Sequence, residues 1–254
     1  MNYKKNTQSE YQKRIRFISE NMSNLDDYQI EKIVEFSMCT NVLSNFDEIV
    51  KWAEKNQRNF STSIKEIPLK DMKNWKIDNS KIQHSSGKFF EILGLRVGEN
   101  SDREVGDGWD QPIVKENNFD GGVLGLIRSY IYELPHYLVQ ARFEPGNYGP
   151  IQISPTLQAT FSNLNQEHGG RKPYYSEFFE DYENLSTEYL FNSWLSEDGG
   201  KFYKKRNRGL VKQVNYDQVT IINDSFQWLS LYQIKKLMEF DSLINPHLAR
   251  LIFL

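Results

Sequence analysis

The sequence has few of the features that mark secreted, membrane-bound or nucleic-acid-binding proteins. A single cysteine, Cys39, excludes an internal disulfide and a thiolate metal cluster, so we expect a reducing compartment such as the cytoplasm. No apolar run approaches the length of a membrane span, and residues 1–16 are too polar for a secretory signal peptide. A net charge of −3 provides no basic surface, so we expect neither nucleic acid nor a membrane as a partner.

Motifs for cofactors, metals and covalent nucleophiles are also scarce. The chain has no GxGxxG, phosphate-binding loop, HExxH or GxSxG motif. Its four histidines stand apart, without the spacing of metal ligands: His84, His136, His168 and His247. Arg103-Glu104-Val105 resembles the core of a Nudix box, but Gly106-Asp107-Gly108-Trp109 replaces the paired glutamates that would bind metal. We therefore expect no cofactor and no metal.

The composition is that of an ordinary globular protein, with 254 residues, 39% of them hydrophobic and 14% aromatic. Apolar residues recur at helical spacing over residues 1–60, with a break and a new N-cap at residues 23–27 and a further helix over residues 45–56. Helical patterns also suggest a helix over residues 176–192 and an amphipathic helix over residues 228–240.

Between these helical regions the sequence changes to short strands and turns. We predict strands over residues 89–97, 109–114 and 210–214, and a strand pair formed by residues 123–128 and 137–142. The predicted class is α+β, with helices flanking a mixed, antiparallel-rich sheet. We predict an N-terminal helical segment over residues 1–65 and a main domain over residues 66–254.

The stretch over residues 140–160 organises the main domain. It predicts a strand, a turn at Pro145-Gly146-Asn147 and a second strand. Odd-numbered residues of the stretch are apolar and even-numbered residues are polar, so an extended chain would place them on opposite faces. The predicted polar face holds Arg142, Glu144, Gln152, Ser154, Thr156, Gln158 and Thr160. Such a face is either a ligand floor or a solvated surface without a function.

Arg142 and Glu144 are two residues apart, which places a cation beside a potential general base. The alternative is a salt bridge of small energetic value. The basic run over residues 201–208 could bind phosphates or remain solvated. Trp109, Tyr148, Tyr174 and Tyr175 could stack on a nucleobase or simply belong to the core.

Several segments together resemble the NDP-hexose 2,3-dehydratase family. The most specific are residues 109–113, 138–147, 152–163 and 196–199, and residues 84–90 and 93–97 fit the earlier part of the family pattern. The resemblance runs from about Ile67 to Arg250. It implies a Nudix-like fold without Nudix hydrolysis, and a nucleotide-linked 4-keto-6-deoxyhexose, typically the dTDP sugar, as substrate.

The reaction implied by the resemblance is loss of water across C2 and C3. The C4 ketone acidifies the C3 proton, a base removes it, and the C2 hydroxyl leaves. We hypothesise that Glu144 is the base and that Arg142, with Gln158 or Thr156, holds the developing oxyanion. The candidate substrate-binding residues are His84, Trp109, Gln111, Asn147, Tyr148, Gln152, Thr160, Asn163, Tyr175, Lys201, Arg206 and Arg208.

The chain departs from the family pattern in two respects. The family's antibiotic-sugar enzymes look like tandem duplications of this unit, whereas this sequence has one copy, so we expect a homodimer. The family motif commonly has Lys at the position of Arg142, and arginine cannot shuttle a proton as lysine can. Two alternatives therefore stay open: a nucleotide-sugar binding protein without turnover, and an epimerase or lyase acting on a related 4-keto sugar. A metal-dependent Nudix hydrolase is a more distant one.

Overall fold

Polar residues at the ends of the apolar stretches determine where the helices begin. Asp26 accepts a hydrogen bond from the Gln29 backbone amide, and Asn45 caps the next helix in the same way. The computed structural model describes residues 2–99, 102, 106–116, 121–167, 169–184 and 189–253. Its helices are α1 (Asn2–Asn21), α2 (Asp27–Ser37), α3 (Phe46–Asn59), α4 (Phe161–Leu164), α5 (Leu231–Leu237) and α6 (Pro246–Ile252). The Nudix-box-like residues 103–105 and His168 lie outside the described residues.

The strands form a small antiparallel sheet and a larger mixed sheet. The small sheet has the order β1-β2-β3-β4, and the path of the larger one is β11-β6-β5-β10-β9, with β7 on β6 and β8 on β5. Only the β5–β10 pair among these strands is parallel. The strands are β1 (Trp75–Ile77), β2 (Lys81–His84), β3 (Phe90–Val97), β4 (Trp109–Glu116), β5 (Gly121–Ile131), β6 (Leu134–Phe143), β7 (Ile151–Ser154), β8 (Leu157–Thr160), β9 (Phe191–Ser196), β10 (Arg206–Gln213) and β11 (Phe226–Leu229). The predicted α+β class with a mixed sheet is confirmed, and the Nudix likeness stays a prediction.

The larger sheet contains a fork. β5 and β6 are paired from Ile127 and Leu138 up to the turn that joins the two strands. Farther from this turn, beyond Ile127 and Leu138, the two strands diverge. β7 pairs with the end of β6, and β8 pairs with the beginning of β5, so one segment runs from one branch to the other. Gly122 is needed here, because a Cβ would lie 2.1 Å from the Ala159 carbonyl oxygen. The predicted second strand is thus two strands, broken at residues 155–156.

Both faces of the larger sheet are buried, which corrects the prediction of a polar floor. Residues of β5 alternate between two core clusters, with Leu124 in one and Val123 in the other. Ile151 and Ile153 of β7 join the first cluster, whereas Leu157 and Ala159 of β8 join the second. The alternation therefore changes face between β7 and β8, and the even-numbered residues do not all lie on one face of the sheet.

Two of the predicted helices differ from the structure. Of residues 176–192 the structure describes 176–184 and 189–192, and in these it has a short 3₁₀ turn, Ser176–Phe179, and the start of β9 at Phe191 in place of the predicted helix. Residues 226–229 form the edge strand β11, and the helix starts after Ser230, whose side chain caps α5. Residues 226–229 are a short aromatic stretch, so their pairing with β6 outweighs their helical spacing.

The N-terminal helices pack on the main body. Ile49 and Ala53 of α3 belong to the first core cluster, and Tyr11 of α1 packs with Val34 of α2 in a third. The domain boundary that we propose near residue 65 lies in an irregular stretch after α3. No helix within the described residues is long and apolar enough to cross a membrane.

Candidate active site

A polar cavity of about 220 Å³ opens beside the fork. Its walls are the beginning of β5, the end of β6, β8 with α4 after it, the hairpin that joins β9 to β10, and α6. The lining residues are Leu124, Arg142, Glu144, Gln158, Ala159, Thr160, Asn163, Glu197, Lys205, Asn207 and His247. A concave site with several convergent charged groups is a place where chemistry can occur.

Arg142 and Glu144 form an ion pair on one wall. Arg142 Nε donates to Glu144 Oε1 at 2.6 Å, and the two side chains are 27% and 34% exposed. Gln158 Nε2 lies 3.5 Å from the same carboxylate oxygen. Gln158 Oε1 is buried and has no hydrogen-bond partner within the described part of the chain. A guanidinium and an amide thus converge on one carboxylate at the edge of the cavity.

His247 and Glu197 form a second acidic and basic pair on the opposite wall. His247 Nε2 lies 3.7 Å from Glu197 Oε1, and Glu197 also accepts a hydrogen bond from Asn207. Burial lowers the pKa of His247, and nearby Arg250 acts in the same direction, while Glu197 raises it. The net shift is downward, which favours the neutral imidazole.

Lys205 of the first cavity pairs with Glu116, a carboxylate at the end of β4 in the small sheet. Lys205 Nζ lies 2.5 Å from Glu116 Oε1, and each side chain is 15% exposed. Burial raises the pKa of Glu116, and Lys205 opposes the shift. Backbone hydrogen bonds between β4 and residues 201–203 hold the two parts together, with Val114 bonded to both Lys201 and Tyr203. The small sheet therefore contributes directly to the site.

A second cavity, of about 190 Å³, shares Thr160 and Asn163 with the first. It is lined by Lys88, Phe89, Phe90, Glu116, Thr160, Ser162 and Asn163. Two aromatic rings and an ammonium group give it a chemistry that suits a planar base next to an anion. The two cavities adjoin, so one elongated ligand could occupy both.

Five of the residues proposed from the sequence line the first cavity: Arg142, Glu144, Gln158, Thr160 and Asn163. Thr156 does not. Its buried hydroxyl accepts from the Ile127 amide and donates to the Leu138 carbonyl, where β5 and β6 diverge. At the fork, the Thr156 hydroxyl takes the place of a direct backbone hydrogen bond between β5 and β6. We therefore no longer propose Thr156 as an oxyanion ligand.

Two other proposed residues are also structural. Gln152 is buried and donates to the Ser242 carbonyl at 3.0 Å, while its carbonyl oxygen accepts from Asn245 Nδ2 at 3.1 Å. Tyr175 is 2% exposed and its hydroxyl donates to the Thr220 carbonyl at 2.9 Å. Their polar atoms are engaged within the fold, so neither is available to a ligand in this arrangement.

The other proposed substrate-binding residues lie outside the first cavity. Tyr148 is 94% exposed, and Lys201 and Arg206 are also exposed. The remaining side chains have partners in the fold. Trp109 Nε1 donates to Gln111, which in turn donates to the Gly200 carbonyl. Asn147 donates to the Arg142 carbonyl, and Arg208 donates to Asn192. His84 is hydrogen-bonded to Ser86, and its ring lies edge-on to Phe89.

Four polar or charged lining residues were absent from the sequence-based set: Glu197, Lys205, Asn207 and His247. Glu197 belongs to the family-like segment 196–199, and Lys205 and Asn207 belong to the basic run, so both segments pointed to the right region. His247 gave no local signal, because it reaches the cavity from a helix more than a hundred residues beyond Arg142.

Comparisons with known proteins agree with the location of these segments. Residues 46–253 match the family model described as NDP-hexose 2,3-dehydratase. A protein named dTDP-4-dehydro-6-deoxy-alpha-D-glucopyranose 2,3-dehydratase from Saccharopolyspora spinosa is 37% identical over 181 residues, 70% of this chain and 36% of that protein. Proteins of the same name from Streptomyces violaceoruber and Amycolatopsis orientalis are 34% and 33% identical, covering 72% and 86% of this chain.

The chain spans less than half the length of these relatives, since it covers 40% of the Streptomyces protein and 46% of the Amycolatopsis protein. Among solved structures, a C. elegans Ap4A hydrolase matches 48% of this chain and 88% of that chain, at 13% identity and a TM-score of 0.28. So low a score carries no argument about function or fold. The family match covers most of the chain and includes every residue that lines the cavity, and the protein therefore belongs to the NDP-hexose 2,3-dehydratase family.

Proposed function

We propose that this protein is a hydro-lyase that removes water across C2 and C3 of a nucleotide-linked 4-keto-6-deoxyhexose in deoxysugar biosynthesis. The observation that carries the proposal is the cavity in which Arg142, Glu144 and Gln158 meet Glu197 and His247. The names of the relatives point to the dTDP sugar as the substrate. The group of donors and proton acceptors suits an elimination next to a ketone.

The reaction needs a stabilised enolate and a proton acceptor. When the C3–H bond breaks, negative charge develops on the C4 oxygen. Arg142 and Gln158 supply donors at one wall, and a preorganised donor at a developing oxyanion stabilises the transition state more than the substrate. Electrons then form the C2=C3 bond as the C2 hydroxyl leaves, and the resulting enol becomes a 3,4-diketo sugar. The sequence proposes Glu144 as the acceptor of the C3 proton.

The adjoining cavity is where we place the nucleotide. Phe89 and Phe90 provide ring faces for the base, and Lys88 provides a cation for the diphosphate. This proposal differs from the one made from the sequence, in which the basic run over residues 201–208 meets the diphosphate and Trp109 or a tyrosine meets the base.

We further propose a cytoplasmic homodimer. Light scattering at several protein concentrations measures the oligomeric state. A binding protein without turnover, and an epimerase acting on a related 4-keto sugar, are the alternatives.

Incubation of the purified protein with dTDP-4-keto-6-deoxyglucose, followed by mass spectrometry, tests the proposed function. We expect a product that has lost the mass of one water, together with free dTDP from its breakdown. Binding of the substrate without product would indicate the binding protein instead. Deuterium incorporation at C3 from heavy water, without loss of water, would indicate the epimerase.

A further inference from the structure

Each lysine and arginine among the described residues that line the two cavities already pairs with a carboxylate. The pairs are Arg142 with Glu144, Lys205 with Glu116, and Lys88 with Glu167. The diphosphate of a nucleotide sugar carries negative charge and prefers the same cationic partners. A ligand that enters the cavities therefore competes with a carboxylate for its cation.

Lys205 and Glu116 lie where the two cavities meet. Lys205 lines the first cavity and Glu116 lines the second, and the two cavities share Thr160 and Asn163. In a nucleotide sugar the diphosphate connects the nucleoside to the hexose. With the hexose in the first cavity and the base in the second, as in the proposed function, the diphosphate lies at this junction, next to the Lys205 ammonium group.

Lys205 is held in place and is shielded from water. Its carbonyl oxygen accepts from the Glu197 amide at 3.0 Å, across the β9–β10 hairpin. Its side chain is 15% exposed, whereas that of Lys88 is 51% exposed. Water and salt screen a charge less at a less exposed site, so we expect Lys205 to contribute more than Lys88 to diphosphate binding.

Glu116 is a carboxylate that can release its partner by taking up a proton. Burial raises the pKa of Glu116, the Lys205 ammonium opposes the shift, and the nearby Glu197 carboxylate adds to it. Lys88 is the other charged group in the described lining of its cavity. An anion that binds Lys205 removes the opposing contact and places negative charge beside Glu116, and both changes raise its pKa further.

We propose that the diphosphate takes the place of Glu116 at the Lys205 ammonium group, and that Glu116 takes up a proton from solvent as the nucleotide sugar binds. Lys205 then donates to a phosphate oxygen, and the neutral Glu116 carboxyl gains an O–H that can donate to the ligand. Binding consumes a proton, so affinity decreases as pH rises over the range in which the proton is taken up. This inference rests on the proposed function.

Calorimetric titration with dTDP-glucose tests the proposal. This ligand lacks the C4 ketone that acidifies the C3 proton, so it should bind without reacting, and its diphosphate does not titrate near neutral pH. The heat of binding should differ between buffers of different ionisation enthalpy in the direction of net proton uptake. Kd should increase with pH, by at most about tenfold per pH unit, since one proton is taken up.

Two variants assign the effect to this pair. Glu116→Gln keeps an oxygen that accepts from Lys205 but cannot take up a proton, so net uptake should disappear and Kd should depend less on pH. Lys205→Met should raise Kd at least about tenfold, because a shielded cation is lost. Lys115→Met is the matched control, since Lys115 precedes Glu116 in β4 but its ammonium pairs with Glu91 at 3.2 Å. It should retain the wild-type uptake and Kd.

Urea unfolding first establishes that each variant is folded. Binding of dTDP-glucose to the wild-type protein without net proton uptake would overturn the inference, and this result does not depend on any variant. Uptake that persists in folded Glu116→Gln, or an unchanged Kd in folded Lys205→Met, would overturn it as well. Failure of the wild-type protein to bind dTDP-glucose would contradict the proposed nucleotide-sugar site itself, so the two failures are distinguishable.

Discussion

The molecule contains two clusters of charged side chains on the same sheet, and they differ in what surrounds them. In the helix–sheet cluster, Arg128 of β5 meets Glu31 and Glu35 of α2, and its side chain is only 2% exposed. In the pocket cluster, formed by Arg142, Glu144, Glu197, Lys205 and His247, the charged groups line a cavity. The first cluster joins two elements, whereas the second leaves room for a ligand.

Their electrostatics differ as well. Burial raises the pKa of the Glu35 carboxyl, and the adjacent Arg128 guanidinium opposes this shift. Glu35 and Arg128 therefore stabilise each other's charge at a site from which water is almost excluded. Tyr130 and Tyr137 place their rings about the Arg128 guanidinium, at 5.0 and 5.9 Å. Members of the pocket cluster keep between 12% and 34% of their side-chain surface exposed. We infer that deep burial marks the structural cluster, and partial exposure at a cavity marks the functional one.

The largest expected effect on stability comes from breaking the helix–sheet cluster. Arg128→Met removes the cation and leaves Glu31 and Glu35 facing a buried apolar side chain. We expect a loss of about 3–5 kcal/mol in the free energy of unfolding, because an unpaired charge remains buried. Urea unfolding measures it. Adding Glu35→Gln to Arg128→Met should recover part of the loss, and a loss below about 1 kcal/mol in the single variant would contradict the structural role.

The next effect uses the buried histidine His136. Burial lowers the pKa of His136, which is 1% exposed, to about 4. An unfolded histidine titrates near pH 6.5, so the unfolded state binds more protons between pH 6.5 and 4, and stability falls as the pH decreases through this range. Full loss amounts to about 3 kcal/mol. His136→Gln should remove this part of the pH dependence, and equal slopes in urea unfolding series of the two proteins would argue against it.

The smallest stability effect should come from the pocket cluster, where the effect on turnover is large. Arg142→Met removes a partly exposed ion pair, so we expect less than about 1 kcal/mol in the free energy of unfolding. We expect kcat to fall about 10²-fold, because a donor at the developing oxyanion is lost. Arg142→Lys is the matched control, since it keeps the charge and restores the lysine common in the family motif. A large loss of stability with normal turnover would reverse our assignment of the two clusters.

Much of the site could be predicted from local sequence. The β6–β7 hairpin, its turn at Pro145-Gly146-Asn147 and the pairing of β5 with β6 follow from alternation and turn residues. Arg142, Glu144 and Gln158 were identified as candidate site residues for the same reason. These features depend on neighbours in the chain, and a local pattern is sufficient to show them.

What could not be predicted depends on contacts between distant parts of the chain. The alternation of polar and apolar residues over 151–160 does not show that the chain crosses at residues 155–156 from pairing with β6 to pairing with β5. Thr156 was therefore predicted to contact the ligand, whereas it bonds the two strands where they diverge. His247 was set aside because no ligand partner lies near it in sequence. Its partner Glu197 is fifty residues away and meets it only because α6 packs beside the β9–β10 hairpin.

The most direct test of the central claim, that the pocket cluster performs an elimination on a 4-keto sugar nucleotide, is a time course in deuterated water. The wild-type and Arg142→Met proteins are incubated with dTDP-4-keto-6-deoxyglucose, and the sugar is analysed by mass spectrometry. The account predicts loss of water from the sugar with the wild-type protein, and a much slower loss with a variant that still folds and binds dTDP. Equal rates for the two proteins, or unchanged sugar without deuterium after incubation with a wild-type protein that binds it, would contradict the account.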